Sequence, residues 1–246
     1  MKAEHSDQQK LLTLADEDVA LTRFAHRRAT MAEAAALEAA EDTERDASAD
    51  VVRAETEVSD LQREVARLEK EVEVVRARTA KDQGLLDSGS VSAKQMTDLQ
   101  HEMTSLQRRQ SDLEDAELEL MEQVETAEAT LAAARETLAA AEVNTGRAEQ
   151  LRDDALADVV DGTANHESRR ASAAAAIPAP LLALYDRIRA LTGTTGAALF
   201  QARQCSGCRI EFNGRDLATV RNADPDEVVR CENCGRILVR TDESGL

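Results

Sequence analysis

The sequence is poor in the side chains that fill a large globular interior. Its 246 residues include no Trp, one Tyr and three Phe, too few aromatics to supply the bulk of a compact core. Only three prolines interrupt it, so most of the chain is free to continue a helix once one has begun. No stretch of about 18 apolar residues exists, which excludes a membrane-spanning helix. Met1 to Lys10 is polar and lacks the apolar region of an export signal, so the expected location is cytoplasmic, where thiols stay reduced. Cysteine is scarce too. The four that occur lie in two close pairs, which in such a compartment read as metal ligands sooner than as disulfides.

What the chain does have is alanine and charge. The hydrophobic fraction of 42% is largely Ala, and 32% of residues are charged. This composition suits long helices packed in pairs, where short apolar side chains suffice. The formal net charge is -18, and Leu181 to the end holds nine basic and nine acidic residues, so the excess lies entirely before it. A long acidic helical part argues against wrapping nucleic acid, which needs a basic face. It fits a solvated surface that keeps helices soluble.

Val51, Val58, Val65 and Val72 recur every seven residues, and Ala54, Leu61, Leu68 and Val75 follow each by three. This is the seam of a coiled coil, with Glu, Arg, Lys and Gln between. A second seam follows the phase Leu99, Leu106, Leu113, Leu120, Ala127, Ala134 and Ala141. Its complementary positions are Met103, Gln110, Glu117, Val124, Leu131 and Leu138, two of them polar. Between the seams, Gly84 to Ser92 contains two glycines and three serines and reads as a turn. The expectation is an antiparallel helical hairpin over 1–176, with helices at about 7–80 and 96–160 and a turn at 84–94. Pairing around Ser88 would set Val72 against Met103, Leu68 against Leu106 and Leu61 against Leu113. Dimerisation through the same seam is the rival.

Gly146 and Gly162 weaken the second helix, and Pro178 and Pro180 end it. Leu181, Leu184, Tyr185, Ile188 and Leu191 have helical spacing, giving a short helix and linker over 177–196. From 197 to 246 short apolar runs alternate with turn residues. There Cys205-Ser206-Gly207-Cys208 is followed, after twenty-two residues, by Cys231-Glu232-Asn233-Cys234. Each C-x-x-C puts two sulfurs on one tight turn, and two such turns supply a tetrahedral S4 site suited to one structural Zn2+. Thiolate softness disfavours magnesium and calcium, and four protein ligands leave no position for substrate or catalytic water. A thioredoxin-like redox pair is the competing reading, but no βαβ pattern surrounds either motif. Gly207 and Gly235 sit where the chain should turn sharply. Asn213 is placed to cap a short helix from Gly214, and Val228–Arg230 and Ile237–Val239 read as short strands.

The rest of the chain offers little chemistry. His5, His26, His101 and His166 lie in helical stretches far from the cysteines and read as surface residues. Gly89 to Lys94 lacks the spacing of a phosphate loop and any strand before it. In the ribbon, Arg209, Arg215, Arg230, Arg236 and Arg240, with Arg203 and Arg221, are candidate interaction residues, and Phe200 and Phe212 could stack on bases or fill a small core. Eight acidic residues from Glu211 to Glu243 offset these seven arginines.

Three segments together resemble a bacterial family of coiled-coil proteins with a C-terminal C4-type zinc ribbon: the turn Leu86–Val91 with Leu99–Glu102, the helix Leu184–Arg189, and Val229–Leu238. The resemblance spans about residues 5 to 240, and the third segment is its most specific part. It implies a long, kinked helical hairpin followed by the ribbon, with zinc ligands at Cys205, Cys208, Cys231 and Cys234. It also implies nucleic-acid binding or an adaptor role, which in some members concerns flagellar assembly or alternative sigma factors; nothing in this sequence points to flagella. The family often has proline inside the second C-x-x-C, where this chain has Asn233; the sulfurs are unchanged.

The leading expectation is therefore a non-enzymatic adaptor that contacts protein partners through hairpin and ribbon. Nucleic-acid binding through the ribbon is the alternative, and no small-molecule substrate or membrane partner is indicated.

Overall fold

The computed structural model describes residues 1–245. The fold is mainly α, with helices α1 (His5–Ala29), α2 (Ala32–Asp87), α3 (Ala93–Ala175), α4 (Ala179–Thr192) and α5 (Gly214–Asn222). Three short strands, β1 (Ala197–Gln201), β2 (Gln204–Cys205) and β3 (Ile237–Arg240), lie in the C-terminal region. The chain divides into two compact units, Ala34–Gln150, and Met1–Glu33 together with Leu151–Leu246.

The first of these is the hairpin. Leu37, Ala47, Val51, Ala54, Val58, Leu68 and Val72 are buried along α2, and Leu113, Ala127 and Ala141 along α3, the positions of the heptad seams. The register differs from pairing around Ser88. Leu113 packs with Leu68 and Val72, one heptad from its expected partner Leu61. The cause is the length of the first arm: α2 runs through Gly84 to Asp87 instead of ending near 80, so each of its residues meets a later part of α3. Ion pairs such as Arg109 with Glu71 at 3.2 Å and Arg135 with Glu55 at 2.7 Å cross between the arms. Exposed pairs like these add little stability, but they match the same register. Only Ser88–Ser92 is non-helical at the tip, where Gly89 takes φ +65°. Ser92 and Gln95 then close the start of α3 reciprocally, the Ser92 amide donating to Gln95 Oε1 at 2.9 Å.

The second unit joins segments that composition assigns to separate regions. The helix expected over 7–80 breaks at Thr30, whose amide and hydroxyl both turn back to the His26 carbonyl. No proline or glycine marks the break, and the same threonine-to-carbonyl bond occurs at Thr43 and Thr56 inside unbroken helix, so it does not by itself cause it. α3 continues past Gly162, where a Cβ would lie 2.4 Å from the Phe24 ring, so the missing side chain is what seats Phe24. α4 ends at Gly193 in the left-handed conformation.

Leu11 and Leu14 of α1, Tyr185 and Ile188 of α4, and Ile237 and Val239 of β3 form one core. The short helix at 177–196 and two side chains of β3 share this core with α1 and the end of α3, while Phe200, Phe212, Val220 and Leu238 form a second cluster within 197–246. Inside the same unit Asp18, with no exposed surface, accepts the Tyr185 hydroxyl at 2.6 Å and Arg170 Nε at 2.7 Å, and its carboxylate lies 2.9 Å from Arg189 Nε. Burial, followed by the bond to Asp18, pushes the Tyr185 hydroxyl well above the usual tyrosine range, so it remains a donor. His166 is not a plain surface residue: its Nδ1 lies 2.6 Å from Glu17 and its ring 5.4 Å from that of Phe24.

Gly196 admits Tyr185. A Cβ there would meet the Tyr185 carbonyl oxygen at 2.2 Å and its ring at 2.7 Å. Gly196→Ala is therefore expected to destabilise this unit by about 1–3 kcal/mol, the usual cost of overpacking. Chemical denaturation followed by Tyr185 fluorescence measures it, and an unchanged midpoint would contradict the close packing.

Candidate metal centre

The strand order β2-β1-β3 brings the two cysteine pairs together. β1 pairs antiparallel with β2, which ends on Cys205, and parallel with β3, which begins three residues after Cys234. The β1–β2 turn places Ala202 at φ 48° and Arg203 at φ 63°, the two left-handed residues of a tight hairpin. Their amides donate to the carbonyls of Glu243 and Ser244, so the end of the described chain holds the turn. Val228–Arg230 is not a strand as its sequence suggests; it contributes an isolated bridge from Arg230 to Ile237 and accepts the Leu238 amide at Val229.

The two C-x-x-C turns repeat one geometry. The Arg209 amide donates to the Cys205 carbonyl at 2.7 Å, and the Gly235 amide to the Cys231 carbonyl at 2.8 Å. Both residues have positive φ, 59° and 75°. Gly235 is thus a sharp-turn glycine, as its position suggests, and its counterpart in the first turn is Arg209, not Gly207. Gly207 serves a different need: a Cβ there would lie 2.7 Å from Cδ of Arg236 and 3.2 Å from Ala198. It lets the Arg236 side chain pass over the first turn.

Cys205, Cys208, Cys231 and Cys234 place their sulfurs within 4.8 Å of one another. Across the two turns, Cys205 to Cys234 and Cys208 to Cys231 are both 3.8 Å. A tetrahedron with Zn–S bonds of about 2.3 Å has edges of about 3.8 Å, so the donor set fits zinc in spacing as well as in kind. A disulfide would need about 2.05 Å between sulfurs, and all four thiols are free. Zinc there acts as a cross-link between the turns.

Local electrostatics favour thiolates unevenly. Burial pushes Cys205 up to about 12, against hydrogen bonds from the Cys208 and Gly207 amides, and raises Cys231 against the amides of Cys234 and Asn233. At Cys234 burial acts in the same sense, but the amide and guanidinium of Arg236, with the neighbouring thiols, bring it down to about 7. The amide donors aimed at the first sulfur of each turn match a site that carries negative charge on sulfur.

The candidate interaction arginines divide. Arg236 donates to Thr194 Oγ1 at 2.6 Å and Thr195 Oγ1 at 3.1 Å, tying the metal turn to the end of α4. Arg240 is buried and donates to the carbonyls of Ala223, Asp224 and Glu227, at 2.7, 2.6 and 2.9 Å, holding the loop after α5. Both side chains thus make structural contacts, Arg240 buried and Arg236 half-buried. Arg209, Arg215 and Arg230 are exposed, Arg230 with its Nε on the Gly235 carbonyl. Phe200 and Phe212 are buried edge to face, with ring centroids 5.2 Å apart, so they form the ribbon's core and offer no stacking surface. α5 starts after Asn213, although the Asn213 side chain makes no capping hydrogen bond.

Sequence reasoning passed over the Asp18 cluster. Its signal is present: Leu11, Leu14, Asp18 and Leu21 fall on one helical stripe, and a carboxylate in an apolar phase demands a buried partner.

Comparison with known proteins agrees with this architecture. Residues 14–193 match the CT398-like coiled coil hairpin domain, and residues 204–238 the C4-type zinc ribbon domain. The Mycobacterium tuberculosis protein Rv2229c is 40% identical over 240 residues, covering 98% of both chains. ML1638 of Mycobacterium leprae is 30% identical over 220 residues, covering 89% of this chain and 94% of its own. A solved structure from Mycobacterium smegmatis superimposes with a TM-score of 0.87 at 36% identity, over 98% of this chain and 100% of that one. CT398 from Chlamydia trachomatis shares the fold, with a TM-score of 0.69 at 21% identity over 96% and 98% of the two chains.

Proposed function

Because this chain belongs to the CT398-like coiled-coil hairpin family and carries a C4-type zinc ribbon after the hairpin, we propose that it is a non-enzymatic, cytoplasmic adaptor. It binds protein partners through faces of the hairpin and the ribbon. The observation that carries this reading is the donor set: four cysteine sulfurs at tetrahedral spacing complete the metal's shell from the protein alone. The metal then fastens a surface and leaves no open coordination position for a reaction. Reduced thiols fit a cytoplasmic location, and among the described residues no helix is long and apolar enough to cross a membrane.

Nucleic-acid binding through the ribbon has weaker support. It would rest on the exposed Arg203, Arg209, Arg215, Arg221 and Arg230 without aromatic stacking, in a chain whose net charge is -18. Arg236→Ala is a poor probe of it, since that change breaks the contacts to Thr194 and Thr195.

The test uses the full chain and its Arg209→Gly/Arg215→Ala/Arg230→Ala variant. Glycine at 209 suits the positive φ there, and zinc content with circular dichroism verifies that losing the Arg230 bond to the Gly235 carbonyl leaves the ribbon folded. Partners captured from a bacterial extract should survive nuclease treatment and the triple change, and a mixed-sequence 20-nucleotide RNA should bind no tighter than about 10 μM at physiological salt. Micromolar or tighter RNA binding that falls steeply with salt and is lost in the variant would replace the adaptor reading with the nucleic-acid one.

A further inference from the structure

On the hairpin unit, a groove of about 700 Å3 runs between α2 and α3. Its apolar floor includes Val52 and Leu138, and Val52 is 59% exposed. Four carboxylates rim it: Glu41 and Glu44 on one helix, Glu142 and Glu149 on the other. The cross-arm ion pairs elsewhere on the hairpin set an arginine of one helix against a glutamate of the other, as Arg135 does with Glu55. These four glutamates form no such pair, and Arg45, the one cation lining the groove, turns to Asp42. Like charges therefore face each other across an apolar cleft. That arrangement opposes pairing of the arms and favours any ligand that brings cations to both rims.

The geometry points to this groove as the docking site for a basic amphipathic helix of a protein partner. The inference rests on the adaptor reading and names the chemistry of its partner. Lining positions 41, 45, 48 and 52 on α2, and 138, 142, 145 and 149 on α3, advance by four, three and four residues, so each wall is one helix face about three turns long. A third helix of about 12 residues, rising about 1.5 Å per residue, spans it. Apolar side chains at i, i+3 or i+4 and i+7 would cover Val52 and Leu138, with Lys or Arg on both flanks reaching the glutamates. A second copy of this chain is the wrong occupant, because its helices bring further carboxylates. Nucleic acid is excluded on the same ground of charge.

The probe is a synthetic 15-residue helix with leucines at that spacing and lysine and arginine flanks, titrated by fluorescence anisotropy against the full chain at physiological salt. Its control has the same composition with the leucines scattered. The patterned peptide should bind at least about tenfold tighter than the control, a difference of about 1.4 kcal/mol. Glu41→Lys/Glu142→Lys should weaken it about tenfold or more. Glu69→Lys/Glu73→Lys, the same charge change at exposed positions outside the groove, should change it less than about twofold. Circular dichroism verifies that both variants stay helical, and Val52→Lys supplies an independent groove variant should either unfold. Equal binding of the two peptides, equal loss in the two double variants, or no binding at about 100 μM would overturn the proposal. Partner capture with the groove variants separates the two readings. Retained capture alongside failed peptide binding leaves the adaptor and removes the groove; peptide binding without any captured partner does the reverse.

Discussion

Cys205→Ser is expected to abolish stoichiometric zinc binding and to unfold the sheet around it. Cys205 is fully buried, closes β2, and lies in the same packed cluster as Phe200, Phe212, Cys231 and Leu238. That cluster is small, and two of its principal members are metal ligands, so binding energy and folding energy are largely the same quantity here. Structural zinc in finger peptides contributes apparent free energies of about 10–16 kcal/mol near pH 7, far beyond what the ribbon's apolar contacts supply. Acid should act as the mutation does. Thiolates ligate and thiols do not, so protons displace zinc as pH falls. The hairpin is expected to survive, since its seam of Val51, Val58, Leu68 and Val72 contains no ligand. Hydrogen exchange with and without a chelator tests this by region. Amides of β1 and β3 should lose protection by several orders of magnitude while those around Val58 and Val72 keep theirs. Uniform loss, or none, would contradict the assignment of the metal to the ribbon alone.

The second large effect is expected at Asp18. Its carboxylate has no exposed surface and holds Tyr185 from α4, Arg170 from α3 and, within 2.9 Å, Arg189 from α4. Removing it leaves the buried Tyr185 hydroxyl and the Arg189 guanidinium without this acceptor, while Arg170 keeps only its bond to Asp186 at 2.9 Å. Asp18→Ala should cost about 3–5 kcal/mol, the penalty for breaking a buried charge pair from one side. Tyr185→Phe removes one donor from a carboxylate that keeps its arginine contacts, and should cost about 1–3 kcal/mol. Urea titration of the full chain orders the two. If Asp18→Ala proved milder than Tyr185→Phe, Asp18 would not be the hub of this cluster.

How much of this was legible in the sequence depends on whether the signal is periodic. The heptads at Val51–Val75 and Leu99–Ala141 repeat often enough to identify two packed helices, and the paired C-x-x-C identifies four ligands. The register was not legible, because sliding a heptad repeat by seven residues keeps every apolar residue in the seam. Only the length of α2 through Gly84 decides it. The break at Thr30 carries no proline or glycine, so no residue type in the sequence announces it. Arginines are ambiguous for another reason. Arg240 and Arg209 look alike in sequence, yet one is buried against backbone carbonyls and the other exposed in a left-handed turn. The union of α1 with the ribbon in one core needed three-dimensional information. Leu11 and Leu14 announce an apolar face, but not that Ile237 and Val239 will cover it.

The measurement that bears most directly on the metal as a fastener is zinc K-edge X-ray absorption of the full chain, purified under reducing conditions. The expected spectrum fits four sulfur scatterers at about 2.3 Å and nothing else in the shell. A nitrogen or oxygen ligand near 2.0 Å would mean an open or mixed site, and with it a chemistry that this account does not contain.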